Sequence, residues 1–249
     1  MTSPAERTAW SRLAPYVPRA VVEWDLDGPH HRRVEGSLVS ADISGFTALS
    51  ERLAGYGREG AEELTVLLNR CFGGMIEIVD AYGGDVLKFG GDALLILFTG
   101  EDHAGRAAAA CHQMRHLIQR RWSTPLVSSV ELGISQGIHS GEFSLHLVHA
   151  GYHELWVVGP GMSAAVQCEG AAERGQILLS HAASARLHPD VLGEPTSDGY
   201  PLVSQPDVPA SLAAPVASDE RLQSFVPSWL VEQVDAAGVS EHRLSLIHI

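Results

Sequence analysis

The sequence has few cysteines, few basic residues and no long apolar run. Its three cysteines, Cys71, Cys111 and Cys168, are too far apart for a disulfide framework or a zinc cluster, so we expect reduced core thiols. Lys and Arg number 17 against 30 Asp and Glu, and the net charge of −13 disfavours nucleic-acid binding as the main role. No apolar run reaches the roughly 18 residues of a membrane-spanning helix, and the N-terminus has no apolar signal core. We therefore expect a cytoplasmic protein with no membrane and no nucleic-acid partner.

Several common functional motifs are also missing. There is no GxxxxGK[ST] loop, no GxGxxG opening a helix after a strand, and no GxSxG turn around a serine. The 13 histidines include no HExxH spacing, so a zinc site is a weak hypothesis. A nucleotide function therefore has to depend on other residues.

The remaining composition is that of a folded protein, with 45% apolar and 19% charged residues. Residues 37–43 predict a strand, a tight turn follows, and apolar residues at helical spacing predict helices around residues 46–53 and 64–79. Residues 85–89 and 93–98 predict a β-hairpin turning at Gly90, Gly91 and Asp92. The first part of the chain therefore alternates strands and helices.

The second part continues in the same way. It predicts a helix at 104–121, a second hairpin from 130–139 and 143–148 around Ser140 and Gly141, a strand at 155–158, a helix at 161–172 and a strand at 176–180. This order indicates an α+β fold in which helices cover one face of a mainly antiparallel sheet.

Four segments are expected along the chain. Residues 1–35 form an N-terminal leader, residues 36–187 the core domain, and residues 188–243 a proline-rich connector with a short helix at 225–237. Residues 244–249 resemble a translated sequencing-adapter read, so we expect a non-native tail on a truncated fragment. A natural frayed terminus stays open as the alternative.

Two aspartates are candidates for metal binding. Asp42 ends a predicted strand and Asp92 lies in the predicted hairpin turn, so one sheet edge can bring both carboxylates together. Mg²⁺ usually takes one or two protein carboxylates and completes its shell with water and substrate phosphates. Asp is also favoured as a helix cap and in turns, and the spacing alone leaves that interpretation open.

Three segments favour the metal-binding interpretation of these aspartates. They are residues 41–47 (ADISGFT), residues 83–93 (GGDVLKFGGDA) and residues 137–142 (GIHSGE). Together, in this order, they resemble the class III nucleotidyl cyclase catalytic domain. The resemblance implies a ferredoxin-like fold, an antiparallel sheet covered by helices, and an active site between two domains paired head to tail.

The resemblance also assigns roles to residues. It implies that Asp42, Asp92 and the backbone carbonyl of Ile43 hold two Mg²⁺ or Mn²⁺ ions. Gly45, Phe46 and Thr47 would line the phosphate side, where the start of a helix offers free N–H groups to the triphosphate of ATP.

The resemblance further matches Lys88 and Glu154 to the residues that recognise the purine base. An acidic acceptor at residue 154 favours the exocyclic amine of adenine over guanine. An exposed hairpin lysine and a solvated strand-edge glutamate remain the alternatives.

The sequence departs from the family at two positions. Ser163 and Gln167 stand where the resemblance places an asparagine and the arginine that stabilises the transition state, and neither supplies a cation. Among tandem cyclases, residues 83–98 (GGDVLKFGGDALLILF) resemble most the first, metal-binding domain of the soluble adenylyl cyclases and their bacterial relatives. The chain is expected to act with a second cyclase domain rather than as an active homodimer. The alternative is an inactive regulatory pseudo-cyclase that binds a nucleotide or a small anion.

Overall fold

A computed structural model describes Leu13 and residues 17–22, 24–209, 222–229 and 231–232. The strands are β1 (His31–Ser44), β2 (Asp85–Gly90), β3 (Ala93–Thr99), β4 (Gly133–His149), β5 (His153–Val158), β6 (Ile177–Leu179) and β7 (Tyr200–Pro201). The helices are α1 (Arg19–Val22), α2 (Phe46–Ala54), α3 (Gly57–Ala81), α4 (His103–Ile118), α5 (Pro160–Ala171) and α6 (His181–Ser184). Short 3₁₀ turns span Pro189–Val191 and Gln223–Phe225. Within these residues, no helix is both long and apolar enough to cross a membrane.

The seven strands form one sheet in the order β2-β3-β1-β4-β6-β7, and β5 also pairs with β4. All pairings are antiparallel except that between β4 and β6. The predicted α+β fold with a mainly antiparallel sheet is therefore confirmed.

The second hairpin predicted around Ser140 and Gly141 is wrong. β4 runs unbroken through both residues because β1 is longer than predicted and pairs with it in register from His31 to Ser44. Gly141 lies opposite Gly36 inside this ladder, so this glycine belongs to a strand and not to a turn. The chain reverses instead between β4 and β5, where Gly151 has a φ of 88°.

Hydrophobic residues pack on both faces of the sheet. On one face, α2, α3 and α4 cover β1, β3 and β4, with Phe72, Met75 and Phe98 fully buried. On the other face, α1, α5 and the segment around Phe225 cover Leu38 and neighbouring residues, so the prediction that helices cover only one face is wrong. Burying each large apolar side chain contributes about 1.5–3 kcal/mol, which fixes the two faces of β1. Cys71, Cys111 and Cys168 are free and buried in these layers, as predicted.

The sheet continues beyond the predicted end of the core at residue 187. β7 pairs with β6, and Leu202 is buried in the main core, so residues up to that point pack on the domain although the sequence placed them in the connector. Near residue 225, the 3₁₀ turn Gln223–Phe225 stands at the start of the predicted helix 225–237, and most of that segment lies outside the described residues. So does the expected tail, 244–249.

Candidate active site

The ends of two adjacent strands bring Asp42 and Asp92 together. Asp42 lies two residues before the end of β1, opposite Ala93, the first residue of β3. Asp92 occupies the turn between β2 and β3, and its carbonyl oxygen accepts a hydrogen bond of 3.2 Å from the backbone N–H of Ile43. The register of the β1–β3 pair therefore places both carboxylates at one corner of the sheet.

The two carboxyl groups affect each other's charge. Partial burial, the negative charge of Asp92 and a hydrogen bond between the two side chains raise the pKa of Asp42 above its ordinary value. Two carboxylates this close disfavour double ionisation unless a cation lies between them. The pair thus has the electrostatic character of a cation site.

A third carboxyl group, which the sequence did not predict, lies near this pair. Ser135 on β4 faces Asp42 across the sheet and donates a hydrogen bond of 3.0 Å to Glu169 on α5. Burial raises the pKa of Glu169, and the charge of Asp42 raises it further, whereas the Ser135 hydrogen bond lowers it. Residue 169 is far from Asp42 in sequence, and only the crossing of α5 over β4 brings them together.

The residues at this corner fit a hard divalent cation. The two aspartates and the Ile43 carbonyl offer only oxygen ligands, and Mg²⁺ and Mn²⁺ prefer such ligands. No group of three or more His, Cys, Asp or Glu side chains arranged to hold a metal occurs among the described residues. The aspartate pair therefore matches an ion that takes most of its ligands from substrate and water.

The start of α2 lies beside the aspartate pair. Gly45 precedes the helix with a φ of 103°, a left-handed conformation that favours glycine, and no side chain caps the helix. Phe46 is buried against Phe72, whereas Thr47 is exposed. Thr47 and Asp92 line one cavity of about 500 Å³, so the predicted phosphate-side residues lie next to the predicted metal site.

Lys88 and Glu154, predicted to recognise the base, also lie together. The Nζ atom of Lys88 on β2 is 2.8 Å from Oε1 of Glu154 on β5 and 5.2 Å from the ring centroid of Trp156. The hydrogen bond from Lys88 lowers the pKa of Glu154. Lys88 and Trp156 are exposed and Glu154 is partly exposed, so a planar ligand can reach them.

Ser163 and Gln167 lie on the exposed side of α5, and Ala165 and Cys168 on the buried side. Their outward position leaves room for larger residues. Asparagine and arginine would therefore fit at these two positions, and what Ser163 and Gln167 lack is the amide and the cation.

The fold is that of a nucleotidyl cyclase catalytic domain, and the family comparison agrees. Residues 30–201 match the model of the adenylate and guanylate cyclase catalytic domain, and the chain belongs to this family. "Adenylate cyclase type 10" of Rattus norvegicus is 40% identical over 94 residues, which are 36% of this chain and 6% of that protein. The chain thus spans a small part of the length of the curated relative that it matches.

Solved structures show the same fold. The adenylyl cyclase CyaB from P. aeruginosa is 27% identical with a TM-score of 0.55, covering 69% of this chain and 93% of that one. The catalytic core of a rhodopsin-guanylyl cyclase with converted specificity, in complex with ATPalphaS, is 21% identical with a TM-score of 0.58, covering 70% and 98%. Adenylyl and guanylyl cyclases are both among these neighbours, so the fold leaves the base open.

Proposed function

We propose that the chain is one half of an adenylate cyclase, which converts ATP to 3′,5′-cyclic AMP and pyrophosphate together with a complementary cyclase domain. One contrast supports this proposal above the others. Asp42 and Asp92 are in contact at the sheet corner, whereas Ser163 and Gln167 offer no cation where the family has its arginine. The chain keeps the metal-binding half of a site and lacks the half that stabilises the transition state.

Asp42, Asp92 and the Ile43 carbonyl would hold two Mg²⁺ or Mn²⁺ ions. Such ions supply Lewis-acid chemistry that favours the ribose 3′-oxygen as nucleophile and neutralises charge on the phosphates. In the reaction, the 3′-oxygen bonds to the α-phosphorus, the bond from that phosphorus to the α,β-bridging oxygen breaks, and pyrophosphate leaves as the hydroxyl proton passes to water. The start of α2 orients the phosphates with backbone N–H groups.

ATP is favoured over GTP by two observations. The sequence relatives are named adenylate cyclases, and in an active pairing of two copies of this chain Glu154 would offer an acceptor to the exocyclic amine of adenine. In an assembly of unlike domains, Lys88 and Glu154 belong to the second, pseudo-symmetric site, and the partner recognises the base at the productive one.

An exposed apolar strip supports a partner domain. Val148 is 43% exposed, Trp156 is 47% exposed and Val158 is 39% exposed. Cross-strand pairing places Val148 beside Glu154 and puts Trp156 and Val158 on that same face of β4 and β5. Apolar side chains around a ligand-binding pair are typical of a surface that another domain covers.

The second candidate is a regulatory pseudo-cyclase. Gln167 stands where the family has its arginine, and this loss favours ligand binding without turnover. The acidic pair at Asp42 and Asp92 argues against it, because a pure regulator does not need a metal site for phosphoryl transfer.

The deciding experiment measures cyclic AMP formation from ATP with Mn²⁺. The chain is assayed alone and mixed with a cyclase domain that contains the asparagine and the arginine. We expect activity only in the mixture, and loss of that activity in Asp42→Ala. Asp190→Ala is the matched control, since Asp190 is a solvated surface aspartate outside the site. Cyclic AMP formation by the chain alone contradicts the half-site proposal. If the mixture forms a complex but no cyclic AMP, the regulatory candidate is supported.

A further inference from the structure

Three arginines outside the predicted site line one cavity. Arg120 and Arg121 follow α4 and Arg174 follows α5, and together they border a cavity of about 350 Å³ whose acidic lining residue is Glu131. This surplus of positive charge occurs in a chain with a net charge of −13. An electropositive cavity in an acidic protein attracts anions.

Arg174 lies on the same face of the sheet as Asp42. A Cβ atom on Gly133 would overlap Nε of Arg174, so the side chain lies over the start of β4. Gly133 pairs with Ser44, and Ser44 shares a strand face with Asp42 two residues away. Two strand residues span about 7 Å, so along the sheet Asp42 lies about that far from the strand position that Arg174 covers.

The same arginine also borders the start of α2. Its Nη2 donates a hydrogen bond of 3.0 Å to the carbonyl oxygen of Glu131. That carbonyl oxygen is the atom that a Cβ on Gly45 would meet at 2.8 Å. The guanidinium is therefore next to the turn that leads into α2.

Ser44 provides a second, independent observation. Its Oγ atom is shielded from solvent and has no hydrogen-bond partner in the described part of the chain. Buried polar atoms are nearly always satisfied, so an orphaned hydroxyl between Asp42 and Arg174 indicates a missing acceptor or donor. A phosphate oxygen is such an acceptor.

We propose that Arg174 and Ser44, with Arg120 and Arg121 at the rim, bind the distal phosphates of the nucleotide and the pyrophosphate that leaves. This inference rests on the proposed function and extends it to the leaving-group end of the site. Arginine presents a planar fork of donors that matches phosphate oxygens in pairs. The metal-binding aspartates hold one end of the polyphosphate, and the arginine cavity holds the other.

The first test measures binding of inorganic pyrophosphate and of ATP to the 249-residue chain by calorimetry, without divalent metal and without a partner domain. We expect Arg174→Ala to weaken both affinities about tenfold, and Arg174→Lys to recover part of the loss. AMP lacks the distal phosphates, and its affinity should stay unchanged. Arg58→Ala, in an exposed ion pair with Glu62, is the matched control and should bind as the wild type does.

Ser44→Ala separates a binding role from a structural one. Deleting an unsatisfied buried hydroxyl does not lower stability, so the thermal midpoint should hold while pyrophosphate affinity falls about threefold. Equal pyrophosphate affinity in wild type, Arg174→Ala and Ser44→Ala overturns the proposal. A loss for pyrophosphate but not for ATP would restrict the cavity to the released product.

The outcome is distinguishable from that of the proposed function. Arginine-dependent pyrophosphate binding without cyclic AMP formation in the mixture refutes the half-site enzyme and supports the anion cavity. Cyclic AMP formation by the mixture supports the half-site enzyme. If Arg174→Ala then leaves the KM for ATP and the inhibition by pyrophosphate unchanged, the anion cavity is refuted.

Discussion

Lys88 and Glu154 form an ion pair across the open side of the sheet, with 2.8 Å between Nζ and Oε1. Both side chains are substantially exposed, and exposed pairs of this kind contribute about 0–1 kcal/mol. The pair therefore opens at little cost when a ligand competes for the lysine or the glutamate. Its position beside the Trp156 ring gives such a ligand a stacking surface.

The half-site proposal predicts that this pair is dispensable for turnover. In the mixture with a complementary domain, Lys88→Ala should retain at least about half of the cyclic AMP formation, because the partner recognises the base at the productive site. Stability should change by less than about 1 kcal/mol. Steady-state assays with ATP and GTP check both points, and a tenfold rise in KM for ATP would place base recognition on this chain instead.

Divalent metal should stabilise the chain through Asp42 and Asp92. Ligands that bind only the folded state raise its stability, and a cation also relieves the repulsion between the two carboxylates. We expect Mn²⁺ to raise the melting temperature of the wild type by about 2–4 °C, which corresponds to about 1 kcal/mol for a chain of this size. Asp42→Asn should abolish the Mn²⁺ effect, whereas Asp190→Asn should leave it intact. An equal shift in both variants would locate the metal elsewhere.

Without metal, the same pair should make stability depend on pH. The pKa of Asp42 is raised from 3.8, so between that value and its folded pKa the native state holds more protons than the unfolded state. Unfolding free energy therefore falls as pH rises through this window, and the penalty is complete above it. In EDTA, Asp42→Asn should be more stable than the wild type around pH 7.5 and nearly equal to it around pH 4. Denaturant titrations at both pH values measure the difference, and an equal gap at both would contradict the raised pKa.

Restoring the missing groups should convert the chain into a self-sufficient enzyme. Ser163 and Gln167 are exposed on α5, so the double variant Ser163→Asn, Gln167→Arg should change stability by less than about 0.5 kcal/mol. A single arginine aimed at a transferring phosphoryl group is worth about 10³-fold or more in rate. We expect cyclic AMP formation by the double variant alone to exceed that of the wild-type chain at least about a hundredfold, with Gln167→Lys as a charge-matched control of weaker effect. No gain in a variant shown to dimerise would mean that more than these two groups is missing.

The convergence of Asp42 and Asp92 could be predicted because it depends on local features, a strand end and a tight turn next to it. Lys88 and Glu154 could be placed together only by resemblance, since their contact joins β2 and β5, two strands that do not pair with each other. The turn predicted at Gly141 is wrong because a Ser-Gly pair is typical of turns, and the local sequence does not show that a partner strand continues past it. Its strand position follows from pairing with Gly36, more than a hundred residues earlier in the chain.

No motif or spacing in the sequence predicts that Glu169 and Arg174 lie beside the aspartate pair. Both depend on the path of α5 across β4, which the spacing of apolar residues does not specify. The sequence shows a glycine at residue 137 but not why it is needed there. In the structure, a Cβ on Gly137 would overlap backbone atoms of Ala165 and Glu169, so only glycine lets α5 cross β4 this closely. Long-range packing, rather than local propensity, thus completes the site.

The crossing of α5 over β4 should depend on Gly137. Gly137→Ala forces the helix away from the strand, and overpacking of this kind costs about 1–3 kcal/mol. Because Glu169 bonds to Ser135 beside Asp42, the displacement should also weaken Mn²⁺ binding. Gly170→Ala is the matched control, since it lies in the same helix with no atom within 4 Å of its Cβ position and should stabilise by about 0.5–1 kcal/mol. Denaturant unfolding compares the two variants, and destabilisation by Gly170→Ala equal to that by Gly137→Ala would show that helix propensity, and not the close approach at residue 137, decides how α5 packs.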